Sequence, residues 1–338
     1  MFTWHIIYSQ SRLCNNMNQN NMKTIQEHIK SKHDNLDLSL LICTPDKGAA
    51  ENVTPKAIVQ FSHGMCEHKE RYIPFMEYLC DNGYACIIHD HRGHGASVKS
   101  KEHLGFFYSG GWKALVEDIL TVNTFAHGMF PDIPLFLFGH SMGSMAVRSF
   151  TKRYDDKIDG LIVCGSPSKN NGAAIGRMLA KLFSLFKGPQ YRPKFIQKIG
   201  FDSFNGKFKH EGQNAWICSD SEVVRAYNAN SLCNYQFTAN GFDNLFGLMQ
   251  DCYSGKGWIT SNKTLPILFV SGKDDPCRTS DKDFGKAVQA VKNAGYTNVA
   301  SVSYEGMRHE ILNETGKEKV WQDIKDTLDS WLYALRMC

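Results

Sequence analysis

Residues 134–154, PLFLFGHSMGSMAVRSFTKRY, hold in immediate succession a strand-length apolar run, a G-x-S-x-G pentapeptide at 139–143 and a helix-like tail. The pentapeptide alone is common, and its surroundings make it informative. PLFLF reads as a buried strand, while Met142, Met145, Ala146 and Phe150 are spaced for one buried helical face. A sharp strand-to-helix turn crowds the backbone, and Gly139 and Gly143 supply the room it needs. Such a turn lifts the Ser141 hydroxyl above the sheet edge, beside a helix N-terminus.

Working outward, apolar runs of strand length recur at 36–43 (LDLSLLIC), 56–61 (KAIVQF), 84–89 (YACIIH), 160–165 (GLIVCG), 265–271 (LPILFVS) and 299–304 (VASVSY). Helical stripes lie between and after them, as in 112–126 (Trp112, Leu115, Val116, Ile119, Leu120) and 316–335 (Val320, Trp321, Ile324, Leu328, Trp331, Leu332). Strands buried on both faces and alternating with helices predict an α/β fold, a mostly parallel sheet covered by helices on both sides. Residues 167–255 lack a convincing strand but hold helical patterns at 173–187 and 242–252. They are expected to form a helical cap inserted into a core made of 22–166 and 256–338. The Asn-rich segment before Met22 marks residues 1–21 as an extension or disordered tail, outside the fold.

The 338 residues are 42% hydrophobic and 21% charged, enough to close a large core. A net charge of +4 is too mild to suggest nucleic-acid binding. Eleven cysteines without a CxxC pair, behind an N-terminus that makes a poor signal peptide, suggest reduced, buried thiols and a cytoplasmic protein. No run of 18 apolar residues occurs, so no membrane span is expected.

A serine hydroxyl needs a base, usually a neutral histidine brought by another loop at the carboxyl ends of the strands. His309 follows strand 299–304 through the loop 305–308, and Asp274 and Asp275 follow strand 265–271. Asp275, just before Pro276, is chosen to orient the imidazole, with Asp274 as a solvated neighbour. The order Ser141, Asp275, His309 is the α/β-hydrolase order. The tetrahedral intermediate needs donors, for which this architecture offers the backbone N–H of Met142 and, after strand 56–61, of Met65 beside Gly64. The spacing His89-x-His91-x-x-His94 also occurs in metal sites, but no further ligands accompany it, and neither metal nor cofactor is expected.

Five motifs in order, HGMCEHKERY (63–72), DHRGHGAS (90–97), GHSMGS (139–144), SGKDDP (271–276) and YEGMRHEILNE (304–314), together resemble the monoacylglycerol lipase and bacterial lysophospholipase group of α/β hydrolases, also called serine aminopeptidase-like hydrolases. The resemblance spans about residues 25–335. It implies hydrolysis of a single-chain acyl ester through an acyl-enzyme, with Ser141, Asp275 and His309 as triad, Met65 and Met142 as oxyanion donors, and Glu67 and Arg71 near the alcohol head group. The sequence departs at Leu312, where the animal lipase has a histidine. Carboxylesterase, thioesterase and peptidase activities use the same machinery; an inactive fold kept for binding would lack a triad member, and none is missing.

Within 169–210, nine lysines and arginines face Asp202 alone. Met178, Leu179, Leu182, Phe183, Leu185 and Phe186 lie among them, an apolar face suited to an acyl tunnel, to an anionic lipid surface or to packing on the core. The expected partners are an acyl-lipid substrate and, peripherally, an anionic membrane.

Overall fold

The structure, a computed structural model, describes residues 22–46 and 54–337; the extension expected at 1–21 lies outside them. In chain order the elements are β1 (Met22–Lys30), β2 (Asp37–Pro45), β3 (Ile58–Ser62), α1 (Ile73–Asp81), β4 (Ala85–His89), α2 (Gly111–Met129), β5 (Leu135–His140), α3 (Met142–Tyr154) and β6 (Gly160–Cys164). They continue with α4 (Ala173–Lys187), α5 (Lys194–Phe201), α6 (Ser221–Ala229), α7 (Ala239–Cys252), β7 (Ile267–Gly272), α8 (Asp281–Asn293), β8 (Val299–Tyr304) and α9 (Lys317–Met337). The strands form one sheet in the order β1-β2-β4-β3-β5-β6-β7-β8. Pairing is parallel from β4 through β8, while β2 runs antiparallel to both β1 and β4.

Side-chain alternation along the central strands splits the interior in two. In β5, Leu135 and Leu137 point into a core shared with α2, α3, α7 and α8, whereas Phe136 and Phe138 point into one shared with α1 and α9. Both faces are therefore covered, as the unbroken apolar runs predict. All seven expected strands are present. The strand β1, MKTIQEHIK, is not among the apolar runs of the sequence. It sits at the sheet edge, where Met22, Ile25 and Ile29 pack on the core and the remaining side chains are polar, so its apolar pattern is weak. Between β6 and β7 the described residues hold helices and 3₁₀ turns but no strand.

The ends of β3 and β4 carry His63, His89, His91 and His94, all fully buried. His63 donates from Nδ1 to the Gly64 carbonyl (2.8 Å) and accepts the His91 backbone N–H at Nε2 (2.9 Å), while His91 Nε2 meets Ser62 Oγ at 2.9 Å. Burial holds His63 at about 4, His89 and His94 at about 3, and His91 well below the usual imidazole range. Both ring nitrogens of His89 lack a partner among the described residues. These rings are neutral in the folded protein and take up protons once unfolded, so stability present above about pH 6.5 is lost as pH falls toward 4. Each ring contributes a slope of at most about 1.4 kcal/mol per pH unit. Urea unfolding at pH 7 and pH 5 is expected to show a lower midpoint at pH 5; equal midpoints would refute the neutral buried cluster.

Candidate active site

Parallel strands aim their carboxyl ends at one rim, so the loops after β3, β5, β7 and β8 converge there. At the end of β5 the chain turns through Ser141 with φ 54° and ψ −118°, an unfavourable backbone for a residue with a side chain. Its N–H donates to the Cys164 carbonyl of neighbouring β6 (3.0 Å), which holds the turn in place. A Cβ on Gly143 would lie 2.0 Å from the Ser62 carbonyl oxygen, so only glycine allows α3 to begin this close to β3.

The three residues expected to cooperate are in contact. His309 Nε2 lies 2.8 Å from Ser141 Oγ, and its Nδ1–H donates to Asp275 Oδ2 at 2.9 Å. The other carboxylate oxygen of Asp275 accepts the Cys277 backbone N–H (2.8 Å), which fixes the carboxylate at the head of a 3₁₀ turn. Asp275 and His309 are buried, and Asp274 is exposed. The arrangement can accept the serine proton on an imidazole whose tautomer the carboxylate selects. Backbone N–H groups of Met65 and Met142 form no hydrogen bond within the described residues, and both residues line the same cavity as Ser141 and His309.

The Asp275, Cys277 and His309 side chains offer ligand atoms within 4.8 Å of one another, the one such group of three among the described residues. The direct Asp275–His309 hydrogen bond reads as an acid–base pair. The resemblance also pointed to Glu67 and Arg71 as head-group contacts, and both are committed elsewhere. Glu67 lines the cavity, but its Oε1 accepts from the Gly64 N–H, from Tyr72 OH (3.0 Å) and from His140 Nδ1 (3.2 Å). Arg71 does not line it. Its guanidinium is bidentate on Glu310 (2.6 and 2.6 Å) and reaches Glu67 Oε2 at 2.9 Å. Burial works against the charge on Glu67, but His140 and Arg71 outweigh it and hold its pKa below the usual carboxylate range.

His140 was not singled out in the sequence. Its Nε2 donates to the His309 carbonyl (3.2 Å) and its ring packs against that of His309 at a tilt, with centroids 4.8 Å apart. Two acceptors for two ring nitrogens favour the protonated form: burial lowers its pKa, the Glu67 carboxylate raises it, and the net direction is up. Trp216 covers the other side of the base, its ring 5.0 Å from that of His309. Only its place in the cap, far from any motif, kept Trp216 out of the sequence reading.

The cavity above Ser141 encloses about 810 Å³. Met142 and Met145 of α3 and Leu245, Phe246 and Met249 of α7 make an apolar wall, with Phe201 and Phe204 beside it. None of the six apolar residues of 178–186 lines it, which corrects the acyl-tunnel reading of that segment. Leu179 and Phe183 pack on the core, while Leu185 and Phe186 are each 76% exposed.

A family model described as Serine aminopeptidase, S33 matches residues 53–316. The chain is 25% identical over 298 residues to a monoacylglycerol lipase of Mycolicibacterium smegmatis, covering 87% of this chain and 91% of that protein. It is 23% identical over 284 residues to Phospholipase YtpA of Bacillus subtilis, covering 82% and 97%. A thermostable carboxyl esterase from Bacillus coagulans, solved with glycerol, superposes with a TM-score of 0.83 at 22% identity, covering 91% of this chain and 99% of that one.

Gly64→Ala tests the rim. Its Cβ would meet Glu67 Oε1 at 2.6 Å and Ser141 Cβ at 3.1 Å, displacing the Met65 N–H. With steady-state kinetics on a nitrophenyl ester, kcat is expected to fall about 10²-fold, as for loss of one oxyanion donor, with the thermal melt still cooperative. An unchanged kcat would remove Met65 from the site.

Proposed function

The chain belongs to the serine aminopeptidase S33 family of α/β hydrolases, and on that premise we propose that it is a serine hydrolase of single-chain acyl esters, the class that includes monoacylglycerols and lysophospholipids. The observation that carries this reading is the unbroken hydrogen-bond chain from Asp275 through His309 to Ser141, opening onto a cavity with one apolar wall. Ser141 Oγ attacks the ester carbonyl while His309 Nε2 accepts its proton. The carbonyl oxygen, now negative, takes the N–H groups of Met65 and Met142. As the intermediate collapses, the ester C–O bond breaks and His309 gives the proton to the leaving alcohol. Water, deprotonated by the same imidazole, then releases the fatty acid and restores Ser141. Asp275 holds the ring and stabilises its charged form without taking the proton.

Two experiments test the assignment. Fluorophosphonate labelling of the wild type is expected, with none of Ser141→Ala; labelling that survives the substitution would refute the nucleophile. Asp275→Asn is expected to lower kcat about 10⁴-fold by presenting the wrong tautomer of His309, and a loss below tenfold would exclude its orienting role.

The second part of the reading concerns where the enzyme works. Ile175, Met178, Leu182, Leu185 and Phe186 of α4 and Phe195 and Ile199 of α5 are exposed beside Lys181, Lys187, Lys194 and Lys198, with no acidic residue on either helix. This supports peripheral docking on an anionic bilayer, with apolar side chains entering it and lysines meeting its head groups. The cysteines of the described residues are free thiols, in keeping with a cytoplasmic setting. In liposome co-sedimentation at low salt, anionic vesicles are expected to bind more protein than neutral ones, and Leu185→Asp with Phe186→Asp to lose the difference. Equal binding to both vesicle types would refute docking by charge.

A further inference from the structure

The cavity is two-sided. His309 protonates the leaving oxygen, so the alcohol part of a substrate must lie on the side of its imidazole. That side is built by the cap around Trp216, and the wall there is polar: seven of the cavity's lining residues carry side-chain carboxamides. Asn214, two residues before Trp216, donates to Asn228 Oδ1 (2.7 Å) and Asn234 Oδ1 (2.8 Å), while Gln213 donates to the same Asn234 oxygen. This linkage fixes the patch at the cavity mouth, where Gln213 and Asn234 are exposed and water completes their remaining bonds. Gln197 Oε1 and Gln236 Nε2 are buried with no partner among the described residues, although both residues line the cavity.

An unpaired buried amide is costly unless a ligand or water supplies its partner. The missing partners include donors and acceptors together, and a hydroxyl group is both. Charged head groups fit poorly. A phosphate calls for arginine or clustered lysine, but Lys209 is the one lysine or arginine lining the cavity, and Glu67 and Glu310 line it as well. A quaternary ammonium calls for open aromatic faces, but His309 and Phe204 pack against the Trp216 ring (centroids 5.0 and 5.2 Å) and Arg71 lies over Tyr227 (5.0 Å). A glycerol ester keeps a pair of free hydroxyls, fewer than this wall can satisfy.

Resting on the ester-hydrolase reading above, we propose that the preferred substrate is a single-chain acyl ester of an uncharged polyhydroxylated alcohol of the sugar or cyclitol kind. The test uses one acyl chain on four alcohols: lauroyl glucose, monolauroylglycerol, lauroyl lysophosphatidylcholine and 4-nitrophenyl laurate. The glucose ester is expected to exceed the glycerol ester and the lysophospholipid in kcat/KM by about tenfold or more, the worth of one or two added hydrogen bonds. Combining Gln197→Leu with Gln236→Leu is expected to lower the ratio of glucose ester to nitrophenyl ester about tenfold without lowering Tm, because it removes amides that have no protein partner. A wild-type enzyme that cleaves the nitrophenyl ester but favours the glycerol ester or lysophospholipid over the glucose ester, or treats the three alike, overturns the head-group inference alone. Failure to cleave any of the four overturns the hydrolase reading itself.

Discussion

A backbone contact at the head of α3 governs the rest of the molecule. Gly143 sits so close to the Ser62 carbonyl that no side chain fits between them. That closeness goes with the positive-φ turn at Ser141 and sets the loop after β3 beside the Ser141 hydroxyl. The strain at Ser141 is held on both sides, by its N–H on the Cys164 carbonyl of β6 and by its carbonyl, which accepts from the Ser144 and Met145 N–H groups of α3. The sheet order follows from the same demand, since β3, β5 and β6 must be neighbours for these loops to touch.

Around this point the protein gathers an unusual density of buried charge. Glu67, Arg71, Glu310 and His140 form one connected group beneath the triad, and each charge has an opposite partner within hydrogen-bond reach. Such groups contribute little net stability, because desolvation offsets their attraction. What they provide is placement. Glu67 holds the loop after β3 through the Gly64 N–H, and through His140 it reaches the His309 carbonyl, so one carboxylate registers the loops of Met65 and His309 against each other.

Much of this was legible in the sequence because it is local. The strand, turn and helix around Ser141 lie within 134–154, and Asp275 and His309 each follow a strand directly, so chain order and a rule about strand ends suffice. Asp275 was separable from Asp274 by its place at the turn before Pro276. What escaped is what depends on partners distant in sequence. Arg71 and Glu310 are 239 residues apart, and each looks like an available charge until the fold joins them. The edge strand β1 escaped for a different reason, since exposure on one side leaves its apolar pattern too sparse. The amide patch had no motif at all: it is assembled from loops around α5, α6 and α7, and each Asn or Gln there is unremarkable in its own segment.

The residues that flank the base are both tied to the cap. Arg308 donates to the carbonyls of Ala215 (2.6 Å) and Cys218 (3.2 Å) and pairs with Glu211, and the Glu310 N–H donates to the Ile217 carbonyl (2.7 Å). A lid that swung open as one rigid body would carry the imidazole away from Ser141 with it. The segment 211–218 therefore acts as a fixed doorpost beside the imidazole, moving only if His309 moves with it.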